Sequence, residues 1–556
     1  MEKNLSALNN EAFDLVIIGG GINGVACAWD AVLRGYRVAL FEKSDFGAKT
    51  SSHSAKIAHS GIRYLQHADF TRMRESIRER MNLAHSAPHI VRSQPFLLPI
   101  YGHGLKGRQI MTLYMKMFDL FSKAGRNFAD PARHVPATRI ISPGKVLEIV
   151  PEMEKRGLTG GAVWSEGLMY NTERLLYSYV HSAEEVGAAM FNYCEVKNLL
   201  FDKNRVTGVS VEDTVSGKSA DVYASVVINA TGPWLMQNLG LGGSLFTRSR
   251  VYASKAFSLV TRQLCPSHAI SFYIQPMYED KKAVVDKKSS MQFAIPWQGY
   301  SLICSLHLPC PEDNPDHVTI TEEEITEYLS KINQGYPGAD LEEKDIVNIL
   351  WGVIPAEDRG SAAPLKHYRI IDHQAEDHIS GIISVGGVKY TTGRDVAQKT
   401  INLAEDQISG RRTPCKTLYR PLWGGGIAFL ETFIQEAVSR HPDFDKDTIS
   451  HLIANFGKHY DHVLEYAQKE PSLKDFVDGT RILKAEIVHA CRKEKAKKLT
   501  DLVLRRTEIG NIMMPAHETL VSCAQIMGRE LGWDQERMTT EIAGVKEAYL
   551  WHPRRE

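Results

Sequence analysis

Three glycines, Gly19, Gly21 and Gly24, follow the apolar run FDLVII and open the stretch GGGINGVACAWDAVLRG. In this G-x-G-x-x-G spacing the first glycine permits a tight turn. The second lets backbone approach a pyrophosphate, and the third allows close helix–strand packing. The free N–H groups and positive dipole end of a helix starting there would face the phosphates. Eighteen residues after Gly24 stands Glu42, whose carboxylate can accept hydrogen bonds from ribose hydroxyls and disfavours an extra phosphate there. Shortly afterwards TSSHSAKIAHSGIRYLQ, residues 50–66, places Thr50, Ser51, Ser52, His53, Ser54, Lys56, His59 and Arg63 within fourteen positions. Such a density of hydroxyls, imidazoles and cations suits a bound anion. It equally suits a solvated loop with a few caps, and residue types alone leave both open.

The elements that must hold these residues are legible nearby. FDLVII and YRVALFEK read as buried parallel strands on either side of a helix, a β-α-β unit of about thirty residues. In a simple NAD enzyme such units would continue at once. Here the next strand-and-glycine signals come at SADVYASVVINATG, ending in Ala230-Thr231-Gly232, and at GIISVGGVKYTTGR near residue 390. A nucleotide domain assembled from distant segments suits FAD, which is long and buried. Residues 70–86 and 108–123 read as amphipathic helices, the second either packed into the protein or lying on a membrane surface. Pro88, Pro95 and Pro99 are expected to break regular helix between them. FAIPWQGYSLICSL reads as a hairpin, 318–333 as a helix with an acidic first turn, and the chain from about 413 through Trp551 as charged helices.

With 556 residues, two or three domains are expected. Lys plus Arg equals Asp plus Glu at 66, so no global charge draws the chain to nucleic acid or an anionic membrane. Eight scattered cysteines without CxxC spacing point to reduced thiols and no metal. His459 and His462 in HYDH lack a third ligand and read as a wet helix. No secretory signal and no run of about 18 apolar residues is present, so a cytoplasmic protein is expected. Residues 481–506 hold nine basic and three acidic residues, either a solvated face or a contact with the inner face of the cell membrane.

Together, the FDLVIIGGGINGVACAWDAVLRG start, the 50–66 strip, VVINATGPW, FAIPW, GGVKYTTGR and AEIVHACRKEKAKKLTDLVLRRTEIG resemble the FAD-dependent glycerol-3-phosphate dehydrogenase/oxidase family of glutathione-reductase-like flavoproteins. The resemblance covers nearly the whole chain. It implies an α+β fold with a Rossmann-like FAD-binding domain, an antiparallel-sheet substrate domain and a helical C-terminal domain. The expected boundaries are an N-terminal extension at 1–11, the FAD domain at 12–95, 155–245 and 365–412, the substrate domain at 96–154 and 246–364, and helices at 413–556. The resemblance implies FAD contacts from Gly19, Gly21, Gly24, Glu42, Lys43, Thr50, Ser51, Ser52, Lys56, His59, Val196, Ala230, Thr231, Gly232, Gly387, Lys389 and Thr391. It further implies that Arg63, Tyr64, Lys366 and Lys389 grip the substrate. His59 would be either the catalytic base or a neutral hydrogen-bond partner of the flavin, with Arg63 and Lys389 beside it. On residue type alone, Lys389 reads equally as a surface lysine.

The substrate region departs from the family pattern. Its Lys-Gly-x-His is here Lys255-Ala256-Phe257-Ser258, and its Gly-Thr-Thr-Asp is Cys304-Ser305-Leu306-His307. Ile354 stands where the family has arginine, a further arginine corresponds to Lys366, and Gly-Gly-Lys becomes Gly387-Val388-Lys389. A phosphate dianion needs charge-assisted donors in place of water, so Arg63, Lys389 and Lys366 would carry it, with Arg359 or His307 taking vacated places. The implied reaction is oxidation of sn-glycerol 3-phosphate to dihydroxyacetone phosphate, electrons leaving to a quinone or oxygen. The alternatives are a flavoprotein acting on another hydroxy acid, polyol phosphate or amine, and a non-catalytic flavin-binding module.

Overall fold

A computed structural model describes residues 5–67, 69–103, 107–122, 128, 130–241, 245–246, 251–277, 289–310, 315–356 and 358–549. Strand β1 (Ala12–Ile18) is buried along most of its length because it lies inside a parallel sheet. Its neighbours are β2 (Val38–Phe41) and β10 (Ser219–Asn229). Beyond them lie β7 (Ala189–Phe191) and β17 (Ile382–Gly386), all parallel. Antiparallel β16 (Arg369–Asp372) closes one edge, and the β8–β9 hairpin (Cys194–Asp202, Arg205–Asp213) extends from β10. Helix Ile22–Arg34 packs on this sheet and stops at Gly35 in the left-handed conformation. Because the strands are parallel, their carboxyl ends share one edge. The segments at Gly19, Glu42, Ala230 and Gly387 therefore meet there although up to 368 residues separate them.

A second sheet runs β15 (Ile346–Ala356), β11 (Tyr252–Thr261), β14 (Tyr300–Pro309), β13 (Ser290–Trp297), β12 (Ala269–Ile274), β4 (Val91–Tyr101), β6 (Leu158–Met169) and β3 (Ile57–Ala58), with β5 (Arg139–Ile141) paired to β6. It is antiparallel except where β12 meets β4. The β13–β14 hairpin turns at Gln298-Gly299, both at positive φ, as its short loop requires. β3, β4 and β6 belong to this sheet, so residues 57–58, 91–95 and 158–169 leave the FAD part in which the sequence reading put them. Pro95 and Pro99 break regular helix, as expected, and sit inside strand β4. The strand pairs with β12 only at Phe96 and Leu97, so the missing N–H groups leave no ladder bond unmade on that side.

The short 3₁₀ turn Leu5–Asn10 is no loose extension, since Leu5 and Leu8 are buried against the first sheet. The acidic helix begins at Glu322, not 318, where Thr321 and Glu324 form a capping box. Helix Arg108–Ser122 buries Met115 and Phe118 but leaves Leu113 58% and Leu120 73% exposed. The C-terminal helices, from Leu430–Arg440 to Gln535–Glu547, have a core of their own that includes Leu452, Val488 and Met527. The expected run to Trp551 ends outside the described residues. His459 stacks on Trp423 at 4.7 Å and against His462 at 5.1 Å.

Much of the basic excess at 481–506 turns inward or is paired. Arg481 meets Asp445, Lys484 meets Asp475, Arg492 meets Glu530 and Lys495 meets Glu184. Arg505 and Arg506 both bind Asp45 of the first sheet's β2 turn, at 2.6 and 2.7 Å, in full burial. These acids consume the charge that suggested a membrane contact for this segment.

Candidate active site

The edge where the parallel strands end opens into a cavity of about 520 Å³ reaching from Lys43 and Trp234 to the face of the second sheet. At its nucleotide end Gly19 has φ +102°, a conformation that L side chains rarely adopt. A Cβ on Gly24 would stand 1.9 Å from the Gly19 carbonyl oxygen, so this helix can approach its strand only with glycine there. Gly20 N–H donates to Glu42 Oε2 at 2.7 Å and Ser44 N–H to Oε1 at 2.9 Å. Glu42 therefore braces the glycine loop as well as lining the cavity, and its burial raises its pKa. Lys43 lies 4.9 Å from the Trp234 ring centre and 3.3 Å from Asp316.

The 50–66 strip crosses from this end to the second sheet. Thr50 Oγ1 donates to the Val353 carbonyl at 2.8 Å, and the Trp351 N–H donates to His53 Nδ1 at 3.1 Å. Ser51 Oγ accepts the Ile22 N–H at 3.0 Å and so caps the nucleotide helix from outside. Thr50, Ser51, His53 and His59 line the cavity. Two of the strip's expected FAD contacts do not, nor do Arg63 and Tyr64, expected to grip the substrate. Ser52 turns its hydroxyl to the Gly47 carbonyl. Lys56 is fully buried elsewhere, with Nζ 2.6 Å from Glu173 and 2.7 Å from Thr172, because a cation without water requires a carboxylate.

At the far end Lys389, Thr391 and His59 line the cavity together. Lys389 Nζ lies 4.4 Å from the Tyr64 ring centre, and the Tyr64 ring meets the His59 ring edge-on at 6.1 Å. Burial, Lys389 and Arg63 push the His59 pKa down to about 3, so its ring is neutral around pH 7. Burial and Arg63 lower Lys389 to about 8. Arg63 is exposed and has no ion-pair partner among the described residues, yet its charge acts on His59, Lys389, Cys304 and His307. Lys366 is not brought to the cavity wall; its carbonyl accepts a bond from Arg72 at 2.8 Å. Arg359 is likewise absent from the lining.

Val196, Ala230, Thr231, Gly232 and Gly387 also line the cavity. Gly387 packs so closely on Asn23 that a Cβ would meet its amide at 2.2 Å. Asn23 Oδ1 is buried there without a partner among the described residues. Sequence reading passed over Asn23, Lys49, His53 and Trp234 as lining residues. Asn23 occupies one of the motif's variable positions, Trp234 follows the third residue of ATG, and only their placement reveals them. Lys255, part of a departed motif, lies on the opposite face of β11 and is held by Glu324 at 2.7 Å.

These features fit a dinucleotide whose phosphates lie over the glycine turn. Asn23 Oδ1, unpaired and buried, awaits a donor beside it, and the hydroxyl-rich strip leads on to Lys389 and His59. Comparison with known proteins agrees. Residues 14–391 match the family described as FAD dependent oxidoreductase, and residues 415–538 match the C-terminal domain of alpha-glycerophosphate oxidase. The chain is 30% identical to a glycerol-3-phosphate dehydrogenase of Synechocystis sp. over 97% of both chains. It is also 30% identical to the mitochondrial glycerol-3-phosphate dehydrogenase of Bos taurus, over 97% of this chain and 73% of that one. The fold matches that of the Bacillus halodurans glycerol-3-phosphate dehydrogenase, solved with FAD, with a TM-score of 0.76, 24% identity and coverage of 99% and 98%. The two matched families leave only short stretches of the chain unclaimed. Glycine turn, polar strip and helical C-terminal domain thus come together as parts of one design, and the chain belongs to the FAD-dependent oxidoreductases, among the glycerol-3-phosphate dehydrogenases.

Proposed function

We propose that this chain oxidises sn-glycerol 3-phosphate to dihydroxyacetone phosphate with FAD as cofactor. The observation that carries the reading is one cavity end lined by a partly desolvated lysine and a neutral imidazole, with the charge of exposed Arg63 acting on both. Arg63 and Lys389 attract the phosphate dianion, and Lys389 keeps its charge at pH 7. An unprotonated ring nitrogen of His59 takes the C2 hydroxyl proton. FAD, held along the glycine turn and the 50–66 strip, would supply the acceptor for the hydride leaving C2. Phosphate binding beside His59 offsets the field of Arg63 and Lys389 and raises the basicity of the imidazole when it is needed.

The electrons then pass to a membrane quinone, oxygen being the other acceptor the family suggests. No helix among the described residues is long and apolar enough to cross a membrane. Contact with the inner face of the cell membrane is instead made by helix Arg108–Ser122, whose Ile110, Leu113, Met117 and Leu120 form an exposed apolar stripe.

Anaerobic mixing with glycerol 3-phosphate tests the reaction, read as loss of the flavin's visible absorbance. Rapid bleaching is expected. Bleaching only by another hydroxy acid, polyol phosphate or amine would reassign the donor, an outcome to which Ile354 and Ser258 in the lining give weight. Bleaching by dithionite alone would make the chain a flavin-binding module.

A further inference from the structure

The floor of the cavity is a row across three adjacent strands. Ala256 of β11 pairs with Gly352 of β15 on one side and with His307 of β14 on the other. In-register residues share a face; Thr50 packs on Gly352, where a Cβ would come within 3.3 Å, and the small Ala256 lies between it and His307. All four line the cavity. Beside them Ser258 and Ser305 bond to each other, Oγ to Oγ at 2.8 Å, which uses the hydrogen of one of the two hydroxyls. His307 Nδ1 is buried and has no hydrogen-bond partner among the described residues. A buried polar atom left unpaired on a cavity wall is destabilising unless a ligand satisfies it.

We propose that His307 is a specificity-determining residue whose Nδ1 hydrogen-bonds the C1 hydroxyl of the three-carbon substrate. The inference rests on the reading above, which sends the phosphate to Arg63 and Lys389 and C2 to His59. The C1 hydroxyl is then the substrate's remaining polar group, and His307 has the unspent capacity on the floor that faces it. Charge supports this division. Lys389 acts on His59 but not on His307, whose environment is set by burial and by Arg63 alone. Those two effects hold His307 near a pKa of about 4, hence neutral, and a neutral imidazole suits a hydroxyl better than a dianion.

The test compares glycerol 3-phosphate with the analogue whose C1 is a methyl group, in the FAD-loaded wild type and in His307→Ala. Wild type should favour glycerol 3-phosphate in kcat/KM, and the variant should lose about tenfold on it while changing less than about threefold on the analogue. The affinity for dihydroxyacetone phosphate, read from the flavin difference spectrum without turnover, should fall by a similar factor. Should His307→Ala not hold FAD, His307→Asn keeps a polar group of smaller size and should show the same selective loss in lesser degree. Equal losses on both substrates, or a wild type indifferent to the C1 hydroxyl, would overturn the assignment. A wild type reduced by neither compound would instead overturn the underlying reading of the donor.

Discussion

Replacing Asp45 by alanine tests how the C-terminal domain supports the nucleotide site. Asp45 Oδ2 accepts from Arg505 Nε at 2.6 Å and Arg506 Nη1 at 2.7 Å, and Oδ1 from Arg506 Nη2 at 2.7 Å and Asn192 at 3.0 Å. Arg505 keeps Asp501 at 2.7 Å, but Arg506 has no second carboxylate. Truncation therefore strands a buried guanidinium, a loss of about 3–5 kcal/mol. The damage reaches the cofactor because the turn is continuous with the glycine loop. Glu42 holds Gly20, the Gly47 N–H donates to the Gly20 carbonyl at 3.1 Å, and Phe46 packs where a Cβ of Gly20 would stand. At about 1.4 kcal/mol per tenfold, the undocked population should rise by at least about a hundredfold.

Hydrogen exchange at amides 42–49 and 499–506, together with FAD release on dilution, reads this directly. Asp45→Asn keeps the shape without the charge and should lie between wild type and Asp45→Ala. The flanking guanidinium groups hold the Asp45 carboxyl well below the usual carboxylate range. Its contribution is therefore present above the unfolded pKa and lost as pH falls below about 4. Unchanged exchange in both segments, with FAD retained as in wild type, would refute the coupling of domain docking to the site.

Two further outcomes follow from the site and the surface. Lys389 is charged below a pKa of about 8, so kcat/KM for glycerol 3-phosphate should decline as pH rises through 8, and Lys389→Arg should remove that limb; an unaltered profile would free Lys389 from phosphate binding. Leu113→Asp with Leu120→Asp should abolish pelleting with anionic liposomes at unchanged flavin content, whereas undiminished pelleting would discard helix Arg108–Ser122 as the contact.

The parts of this protein that depend on local spacing were readable from sequence. The glycine turn, its flanking strands and Glu42 follow one another within about thirty residues, where strand and helix periods and glycine sterics act over short range. The hairpin at Gln298-Gly299 and the acidic first turn of the Glu322 helix are of the same kind. Domain boundaries were less readable, because a strand such as β4 tolerates two prolines when a neighbour pairs with only part of it.

Side-chain direction was not readable at all. Lys56 and His59 stand three residues apart in one polar strip, yet Lys56 turns to Glu173 and His59 to the cavity. The 481–506 run is strongly basic in sequence, and acids from 9 to 461 positions away neutralise much of it. His307 gains its meaning from Ala256 and Gly352, which reach it only through strand register. Sequence by itself determined that a dinucleotide would be held over a glycine turn, since that requires only short-range backbone geometry. Which polar groups remain unpaired to meet a substrate depends on long-range partners, and those only the folded chain could choose.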